Sequence, residues 1–174
     1  MRISVLRAGA ALLLAAVLVN GGPAASASTF IRAHIPDLSA GSDSVVHARV
    51  VGLRSDWNAD HSMIFTQVTL QVIRPLKGAP AERITIRVPG GTLDGLTTEM
   101  VGGPRFVMND EVVAFLSRWD DGAPAVMGYA QGLSRVWRGG AGTARLRGGV
   151  ADGLTLRELV RRLRSPGTVA DLAS

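Results

Sequence analysis

The stretch Ser44–Arg74, SVVHARVVGLRSDWNADHSMIFTQVTLQVIR, contains the pattern that decides the fold. In its first part, Val46, Ala48 and Val50 alternate with polar residues. The second part repeats this period of two, with apolar side chains at Ile64, Val68, Leu70 and Val72. Alternation in β-branched segments is typical of half-buried strands. The WNADH between the two parts suits a hairpin turn, so the stretch predicts two long antiparallel strands.

Four further segments read as strands. RITIRV alternates over residues 83–88. DEVVAFL at 110–116 is almost continuously apolar and predicts a strand that is either buried on both faces or capped by the C-terminal segment. RWDDGAP has the Asp-Gly pair of a hairpin connection, and AVMGY and LSRVW follow it as two short strands. The pattern indicates a mainly β fold, a small antiparallel barrel of five to six strands with one C-terminal α-helix. An open β-sandwich is the alternative, because periodicity does not separate the two.

The C-terminal segment has the period of a helix. Its apolar side chains recur at Leu156, Leu159, Val160 and Leu163. Thr155 and Glu158 form a capping box at the start, and Pro166-Gly167 ends the pattern. We therefore expect a helix over residues 155–164 that packs on the sheet. Three arginines in its last turn match the negative end of the helix dipole, so they need no ligand.

The N-terminal 27 residues have the features of a signal peptide. Arg2 and Arg7 precede an apolar run over residues 8–19, and the small-residue site Ala25-Ser26-Ala27 follows. Twelve apolar residues are too few to span a bilayer, which takes about 20. We expect export, to the periplasm or the medium, of a single mature domain over residues 28–174, without a membrane span.

Composition excludes several kinds of chemistry. The chain contains no cysteine, so thiol catalysis, thiolate zinc sites and iron–sulfur clusters are excluded. The formal net charge is +5, and Lys77 is the only lysine among 19 basic residues. Aromatic residues make up 5% of the chain and are not interleaved with the basic ones. Nucleic-acid binding needs such interleaving on one sheet face, so we do not expect a nucleic-acid partner.

Catalytic, cofactor and metal motifs are not found either. The chain lacks the Gly-Lys-Ser/Thr end of a phosphate loop and the Gly-x-Ser-x-Gly elbow. His34, His47 and His61 are too far apart for a zinc helix or finger. The DWNADH segment offers calcium-type oxygens but not the EF-hand spacing, so a turn is the preferred interpretation. We expect no catalytic residue, no cofactor and no metal ion, and a protein that is not an enzyme.

The glycine-rich stretch VPGGTLDGLTTEMVGGPRF, residues 88–106, is the predicted contact surface. We expect a long exposed β–β loop, held by Pro89 and Pro104 and bent at its two glycine pairs. The predicted partner-binding residues are three apolar side chains in the loop, an arginine at its base and a tryptophan in the first turn: Leu93, Leu96, Met100, Arg105 and Trp57. The alternative is that the three apolar side chains pack against the barrel as part of its core.

Three segments resemble netrin-like modules, the OB-fold group that includes the tissue inhibitors of metalloproteinases. The matching positions, spread over about half of the mature chain, are Asp43, Val45 and Val50; Leu76, Lys77 and Gly78; and Gly103, Phe106, Asn109 and Glu111. Similar segments occur in exported bacterial proteins without an assigned activity. The resemblance implies an OB-type fold. It does not carry over the inhibitory mechanism of the family, which uses an N-terminal Cys-x-Cys motif that this chain lacks.

Together these features predict an exported, non-enzymatic binding module for a protein partner, with a secreted or envelope protease as a candidate. Two alternatives stay open: a hydrolase with its site in the 89–105 loop, and a structural protein of the cell envelope.

The signal-peptide interpretation predicts that the mature protein starts at Ser28, because the small-residue site ends at Ala27. Intact-mass measurement of the exported protein checks this. A product that retains residues 8–19 would contradict cleavage.

Overall fold

The computed structural model describes residues 32–139 and 143–165, so the predicted signal peptide, the Ser28 start and Pro166-Gly167 lie outside the described residues. Two helices and eight strands follow one another in the order α1, β1 to β8, α2. Their bounds are α1 Ile35–Gly41, β1 Ser44–Trp57, β2 Ile64–Lys77, β3 Arg83–Leu93, β4 Leu96–Glu99, β5 Glu111–Arg118, β6 Pro124–Val126, β7 Leu133–Arg138, β8 Ala144–Arg147 and α2 Leu156–Arg164.

The eight strands form one antiparallel sheet. Its hydrogen-bonded order is β4-β3-β2-β1-β5-β7-β8, with β6 paired to β5 off this path. The mainly β, antiparallel class with a C-terminal helix is therefore confirmed. The strand count of five to six is too low, because β4 and β8, of four residues each, were not predicted. The helix α1 was not predicted either.

Closure of the sheet into a barrel is not confirmed, because its hydrogen-bonded path is open. Between β3 and the β5–β6 hairpin, side chains make the contacts, and no ladder of backbone hydrogen bonds joins the two. The indole Nε1 of Trp119 donates to the carbonyl oxygen of Arg87 at 3.4 Å, and the Arg87 guanidinium pairs with Asp121 at 2.5 Å. The two sides of the sheet thus approach each other at this point without pairing as strands.

The larger core lies on one side of the sheet, which we call the inner face. Its buried residues come from five strands: Val46, Ala48, Val50, Val68, Leu70, Ile86, Val88, Val112, Ala114, Leu116 and Leu133. Phe106, from the segment before β5, packs against them. The alternation predicted for Val46, Ala48 and Val50 is confirmed, and burying these side chains at roughly 25 cal/mol per Å² is a main stabilising contribution.

The smaller core lies on the outer face and is covered by the helices. Val45, Val113 and Phe115 of the sheet pack there with Leu38 of α1 and Leu159 of α2. Five consecutive residues of β5, Val112–Leu116, are buried as a result. This confirms the alternative in which β5 is buried on both faces.

Helix α1 is held at its C-terminal end by Lys77, the last residue of β2. The Lys77 ammonium donates to the carbonyl oxygens of Ser39 and Ser42, where the helix dipole favours a cation. The next residue, Gly78, has φ +74°, and a Cβ there would lie 2.6 Å from the Asp43 carbonyl oxygen. The Lys-Gly pair therefore fixes the entry of the chain into β1.

A bulge in β1 changes which residues face inward. The pairing with β2 shifts between Val50 and Gly52, after which Leu53 pairs with Val68 and Ser55 with Thr66. A bulge inserts one residue and moves the following side chains to the other face. Leu53 and Ser55 consequently point to the inner side of the sheet, beyond the end of the larger core.

Helix α2 has the predicted capping box. The Thr155 backbone N–H donates to the Glu158 carboxylate at 2.7 Å, and the Glu158 backbone N–H donates to the Thr155 hydroxyl at 3.2 Å. Leu159 is fully buried, whereas Arg161, Arg162 and Arg164 are exposed. The helix therefore packs with its apolar stripe on the sheet and its arginines in solvent.

Leu159→Asp should destabilise the domain by at least about 3 kcal/mol, because it removes a buried apolar side chain and buries a charge without a partner. Arg162→Ala, on the exposed side of the same helix, should stay within about 0.5 kcal/mol of the wild type. Urea unfolding of both variants measures this difference. Equal destabilisation by the two substitutions would contradict the observed orientation of α2.

Candidate functional site

The glycine-rich stretch is a β-hairpin and not the long loop that its composition predicted. β3 continues through Gly90 and Gly91 to Leu93, and β4 returns from Leu96. The turn residues Asp94 and Gly95 have φ +51° and +78°. Asp-Gly with left-handed φ at both positions is the favoured two-residue hairpin turn. The sequence therefore contained this signal, which the surrounding glycines and prolines obscured.

Close backbone packing holds the hairpin against the sheet. The Thr66 hydroxyl donates to the Gly90 carbonyl oxygen at 2.7 Å and lies 3.2 Å from the Ser55 hydroxyl. A Cβ at Gly91 would lie 2.5 Å from the Thr66 hydroxyl oxygen and 2.6 Å from that of Ser55. Only glycine permits this approach, so the Gly-Gly pair brings β3 down onto β1 and β2.

The hairpin forms one wall of a broad open cleft of about 560 Å³. Its floor is apolar, with Val68, Val88 and Phe106 from the end of the larger core and Leu53 from beyond it. The residues Thr97–Glu99 of β4 line one side, and the returning segment Gly103–Val107 lines the other. Clefts of 300–1,000 Å³ with an apolar floor and a few polar groups are typical of binding sites.

The chain reverses direction between the two walls. The Gly103 backbone N–H donates to the Met100 carbonyl oxygen at 2.9 Å, and Gly102 has φ +73°. Gly102–Gly103 therefore lie at the bend that was predicted for them. A second hollow of about 670 Å³ begins on the far side of this bend and extends to Arg135 and Arg147.

Three arginines surround the two hollows. Arg105 pairs with Glu99 at 2.9 Å, and both side chains are largely exposed, so the pair adds little stability. Arg135 pairs with Asp110 at 3.0 Å. The Arg147 guanidinium lies 4.0 Å from the centre of the Trp137 ring, a cation–π contact. Among the described residues, no carboxylate pairs with Arg147, so it is the rim cation with the most freedom to meet an anion.

The predicted contact residues divide between the cleft and other places. Leu96 is 56% exposed on the hairpin, whereas Leu93 and Met100 are half-buried. The Arg105 side chain is exposed at the cleft rim. Val101, at the bend, is 83% exposed and was missed. Its position between methionine and glycine gave no periodic signal that distinguished it from a buried residue.

Trp57 does not line the cleft. Its ring stacks on His61 with centroids 5.9 Å apart, at the end of the β1–β2 hairpin. The hollow beside it is formed with Phe65 and Arg87 on the outer side of the sheet. Trp57 therefore lines a different hollow from Met100 and Arg105. The turn that contains it is held by Asn58, whose side-chain oxygen accepts from the Ser62 and Met63 backbone N–H groups at 2.9 Å.

A charged cluster lies on the outer face, where β1, β5 and β7 adjoin. The Glu111 carboxylate accepts from Arg49 at 2.8 Å and from Arg138 at 2.7 Å, and it lies 3.2 Å from Nε2 of His47. No pattern in the sequence predicts this cluster, because its members are far apart in the chain. They come together through the pairing of Arg49 with Glu111 between β1 and β5.

The environment shifts the pKa values of both central groups of the cluster downward. The hydrogen bond from Arg138 is the main cause for Glu111, with further contributions from Arg49 and His47, and the pKa of its carboxyl falls to about 2. Burial is the main cause for His47 and lowers its pKa, although Glu111 opposes the shift. A neutral His47 beside an ionised Glu111 is the state that the fold favours near neutral pH.

The hydroxyl groups at the cleft contact one another and the backbone. Besides the Ser55–Thr66–Gly90 contacts, the hydroxyls of Thr92 and Thr97 lie 2.9 Å apart across the hairpin. Within residues 32–139 and 143–165, no group of three or more His, Asp and Glu side chains is placed to hold a metal ion. The same residues include no helix long and apolar enough to cross a bilayer. What the cleft offers chemically is hydrogen bonding, an apolar floor and cationic groups.

No protein-family model matches this chain, and neither the curated proteins nor the solved structures contain a significant match to it. The cleft and the hairpin are therefore the features that indicate a function.

The charged cluster should make the stability of the protein depend on pH. Because the folded pKa of each group is below its ordinary value, the unfolded chain binds more protons in the interval between the two values. Stability should decrease as the pH falls below about 6.5, the ordinary value for His47, and again from about 4.5 towards 2 for Glu111. Urea unfolding between pH 8 and pH 2.5 measures the two decreases.

Glu111→Gln should reduce the loss of stability between pH 7 and pH 3 by on the order of 1–3 kcal/mol, because the carboxylate that is stabilised by its arginines is gone. Glu99→Gln removes an exposed carboxylate and serves as the matched control, with a change within about 0.5 kcal/mol. The same pH profile in wild type and Glu111→Gln would show that the cluster does not stabilise the fold.

Proposed function

We propose that this chain is an exported, non-enzymatic binding module that recognises a protein partner through the surface of its β3–β4 hairpin. This surface, the hairpin surface, consists of Leu93, Leu96, Met100, Val101 and Arg105. The observation that carries the proposal is the exposure of Leu96 and Val101, at 56% and 83%, beside an open cleft with an apolar floor.

Exposed apolar side chains are common singly and need no explanation on their own. Here two of them lie a few residues apart on a projecting hairpin, and the half-buried Leu93 and Met100 adjoin them. Interfaces combine such an apolar centre with a polar rim. Arg105, Glu99 and the hairpin threonines supply the rim. The hairpin surface thus has the apolar centre and the polar rim of a small protein–protein interface.

A protein partner is favoured over a small molecule because the cleft is open. Small-molecule sites usually enclose 70–90% of the surface of their ligand. This cleft is bounded by an exposed edge strand and an exposed bend, which leaves most of any small ligand in solvent. A segment of a larger partner does not need enclosure, since its own chain covers the remaining side.

The candidate partner, a secreted or envelope protease, comes from the resemblance to netrin-like modules. The matched residues have structural functions here: Lys77 and Gly78 fix α1 and β1, and the Asn109 backbone N–H donates to the Val50 carbonyl oxygen at 2.9 Å with φ +68°. They support a related arrangement of strands. The protease remains a candidate that rests on the resemblance alone.

A hydrolase with its site in this segment would need a base beside one of the hydroxyl groups. The Ser55 and Thr66 hydroxyls contact each other, and Thr66 also contacts a carbonyl oxygen, whereas His47 contacts Glu111 on the opposite face. The binding role therefore uses more of the observed geometry than the hydrolase or the structural role does.

The proposal predicts that Leu96→Asp combined with Val101→Asp abolishes partner binding without unfolding the domain. A tagged mature protein is used to capture proteins from the medium or envelope of its natural source, and each captured protein is quantified by mass spectrometry. We expect one specific protein whose recovery falls at least about tenfold for the double variant, as for an interface centre.

Ile73→Asp is the matched control, because Ile73 on β2 is a similarly exposed apolar residue, at 49%, away from the cleft. It should leave recovery unchanged. Direct titration with the purified partner then confirms the interaction. If no captured protein distinguishes the hairpin variant from the Ile73 variant, the hairpin surface is not the binding site.

A further inference from the structure

We propose that the partner presents an extended, acidic segment that adds as a strand to the free edge of β4 and places a carboxylate on Arg147. This inference rests on the proposed function and specifies its mode of recognition. Strand addition gives affinity through main-chain hydrogen bonds, and neighbouring hollows select side chains.

The geometry of the hairpin identifies which backbone groups are available. In a two-residue hairpin the flanking residues, Leu93 and Leu96, form the hydrogen-bonded pair, and the following pairs alternate. Leu96 and Thr98 therefore direct their N–H and C=O groups to β3. Thr97 and Glu99 direct theirs to the opposite side, which is the free edge.

β4 is the terminal strand of the sheet, and within the described part of the chain its second edge pairs with no strand. The other terminal strand, β8, is partly covered, because Arg145 forms a bridge with Thr155 and donates to the Gly153 carbonyl oxygen. The edge of β3 that faces β6 is approached by Trp119. The fold therefore partly covers these two edges, whereas among the described residues the edge of β4 is open.

The composition of β4 does not block pairing. Soluble proteins usually protect an edge strand by making it very short, or with lysine, proline, a bulge or an inward-pointing charge, and of these β4 has only its short length of four residues. The sequence of β4 is Leu-Thr-Thr-Glu, with all four residues exposed. Threonine favours strand conformation, and its single acidic residue, Glu99, is paired with Arg105. β4 is thus a receptive template over at least Thr97–Glu99.

The charges beside this edge favour an acidic occupant. Glu99 is shared by both hollows, and Arg147 lies in the second hollow with its guanidinium over Trp137. A carboxylate that reaches this hollow would pair with Arg147 without displacing an existing ion pair. A second copy of this chain would bring the same side chains to the edge across a twofold axis. In the described lining of the two hollows the only carboxylate is Glu99, which is already paired with Arg105. An acidic partner segment supplies the carboxylate that Arg147 lacks.

The test uses a defined probe, a fluorescein-labelled peptide of alternating valine and glutamate, seven residues long with blocked ends. The full mature chain is titrated with it by fluorescence anisotropy, and an otherwise identical peptide with glutamine in place of glutamate is the charge control. We expect the glutamate peptide to bind at least about fivefold more tightly. Arg147→Ala should remove this preference while binding of the glutamine peptide changes less than about twofold.

Thr97→Pro tests strand addition, because proline removes the outward N–H and is tolerated on an edge strand. We expect it to weaken both peptides by about tenfold or more. Thr97→Ala loses the same hydroxyl but keeps the N–H, so it should bind within about twofold of the wild type. Hydrogen exchange of the Thr97 and Glu99 amides should slow on saturation with peptide. Thermal unfolding confirms that both variants are folded.

Three outcomes would overturn the inference: no binding of either peptide at millimolar concentration, equal binding by Thr97→Pro and Thr97→Ala, or a wild-type dimer in sedimentation that Thr97→Pro dissociates. The last would assign the edge to a second copy. The inference and the proposed function fail separately. If Thr97→Pro still captures the natural partner, the binding role holds and strand addition is wrong. If the peptides bind as expected but no partner is captured, strand addition holds and the proposed function is wrong.

Discussion

The structure depends on the position of β1 in the middle of the sheet, paired with β2 on one edge and β5 on the other. Its first half is buried on both faces, with Val46, Ala48 and Val50 in the inner core and Val45 in the outer core. A strand that is apolar on both faces needs two covering layers. The curved sheet provides the inner layer and the two helices provide the outer one. This constraint accounts for the presence of α1 and α2 and for their location on a single face.

The outer face of β1 changes from apolar to charged along its length. Val45 packs with the helices, whereas His47 and Arg49 follow on the same face, and Glu111 joins them to β5 and β7. A buried carboxylate is tolerated only when it is paired and hydrogen-bonded. The two arginines and the histidine meet that requirement. The cluster thus joins β1, β5 and β7 through ion pairs and hydrogen bonds at a place where the apolar cores do not join them.

The candidate site arises where the inner core ends. Beyond Val68 and Val88 the sheet still curves, but the bulge in β1 and the small side chains of Ser55 and Thr66 leave space for the hairpin to approach. The apolar floor of the cleft is therefore the exposed end of the core, and its walls are the hairpin and the segment that returns to β5. Core and site are continuous, so a rigid scaffold positions the hairpin and its free edge.

The structure explains why particular residue types occupy the positions that resemble netrin-like modules. Gly78 and Asn109 adopt left-handed φ, and Lys77 neutralises the end of a helix. Each requirement is local to a turn or a helix end. Such patterns are expected in any chain that makes the same connections between strands, whatever it binds, because fold and function are separable. None of these motif positions lies in the β3–β4 hairpin, which carries the proposed binding role.

The sequence by itself determined the elements whose signals are local. Period-two alternation identified β1 and β2, continuous apolarity identified the doubly buried β5, and the capping box at Thr155 identified the start of α2. It also contained the Asp94-Gly95 turn, although the surrounding glycines led to the prediction of a loop. Four of the five predicted contact residues belong to the hairpin surface because they are close together in the chain.

The tertiary structure alone decided what depends on distant residues. It determined that the sheet stays open with β4 at its edge, that α1 packs on Lys77, and that Trp57 lies apart from the cleft. It also brought Glu111 to His47, 64 positions away in the chain. The physical reason is the same in each case. Hydrophobic periodicity specifies which face of a strand is buried, but not which other strand pairs with it, since pairing is selected by the packing of the whole core.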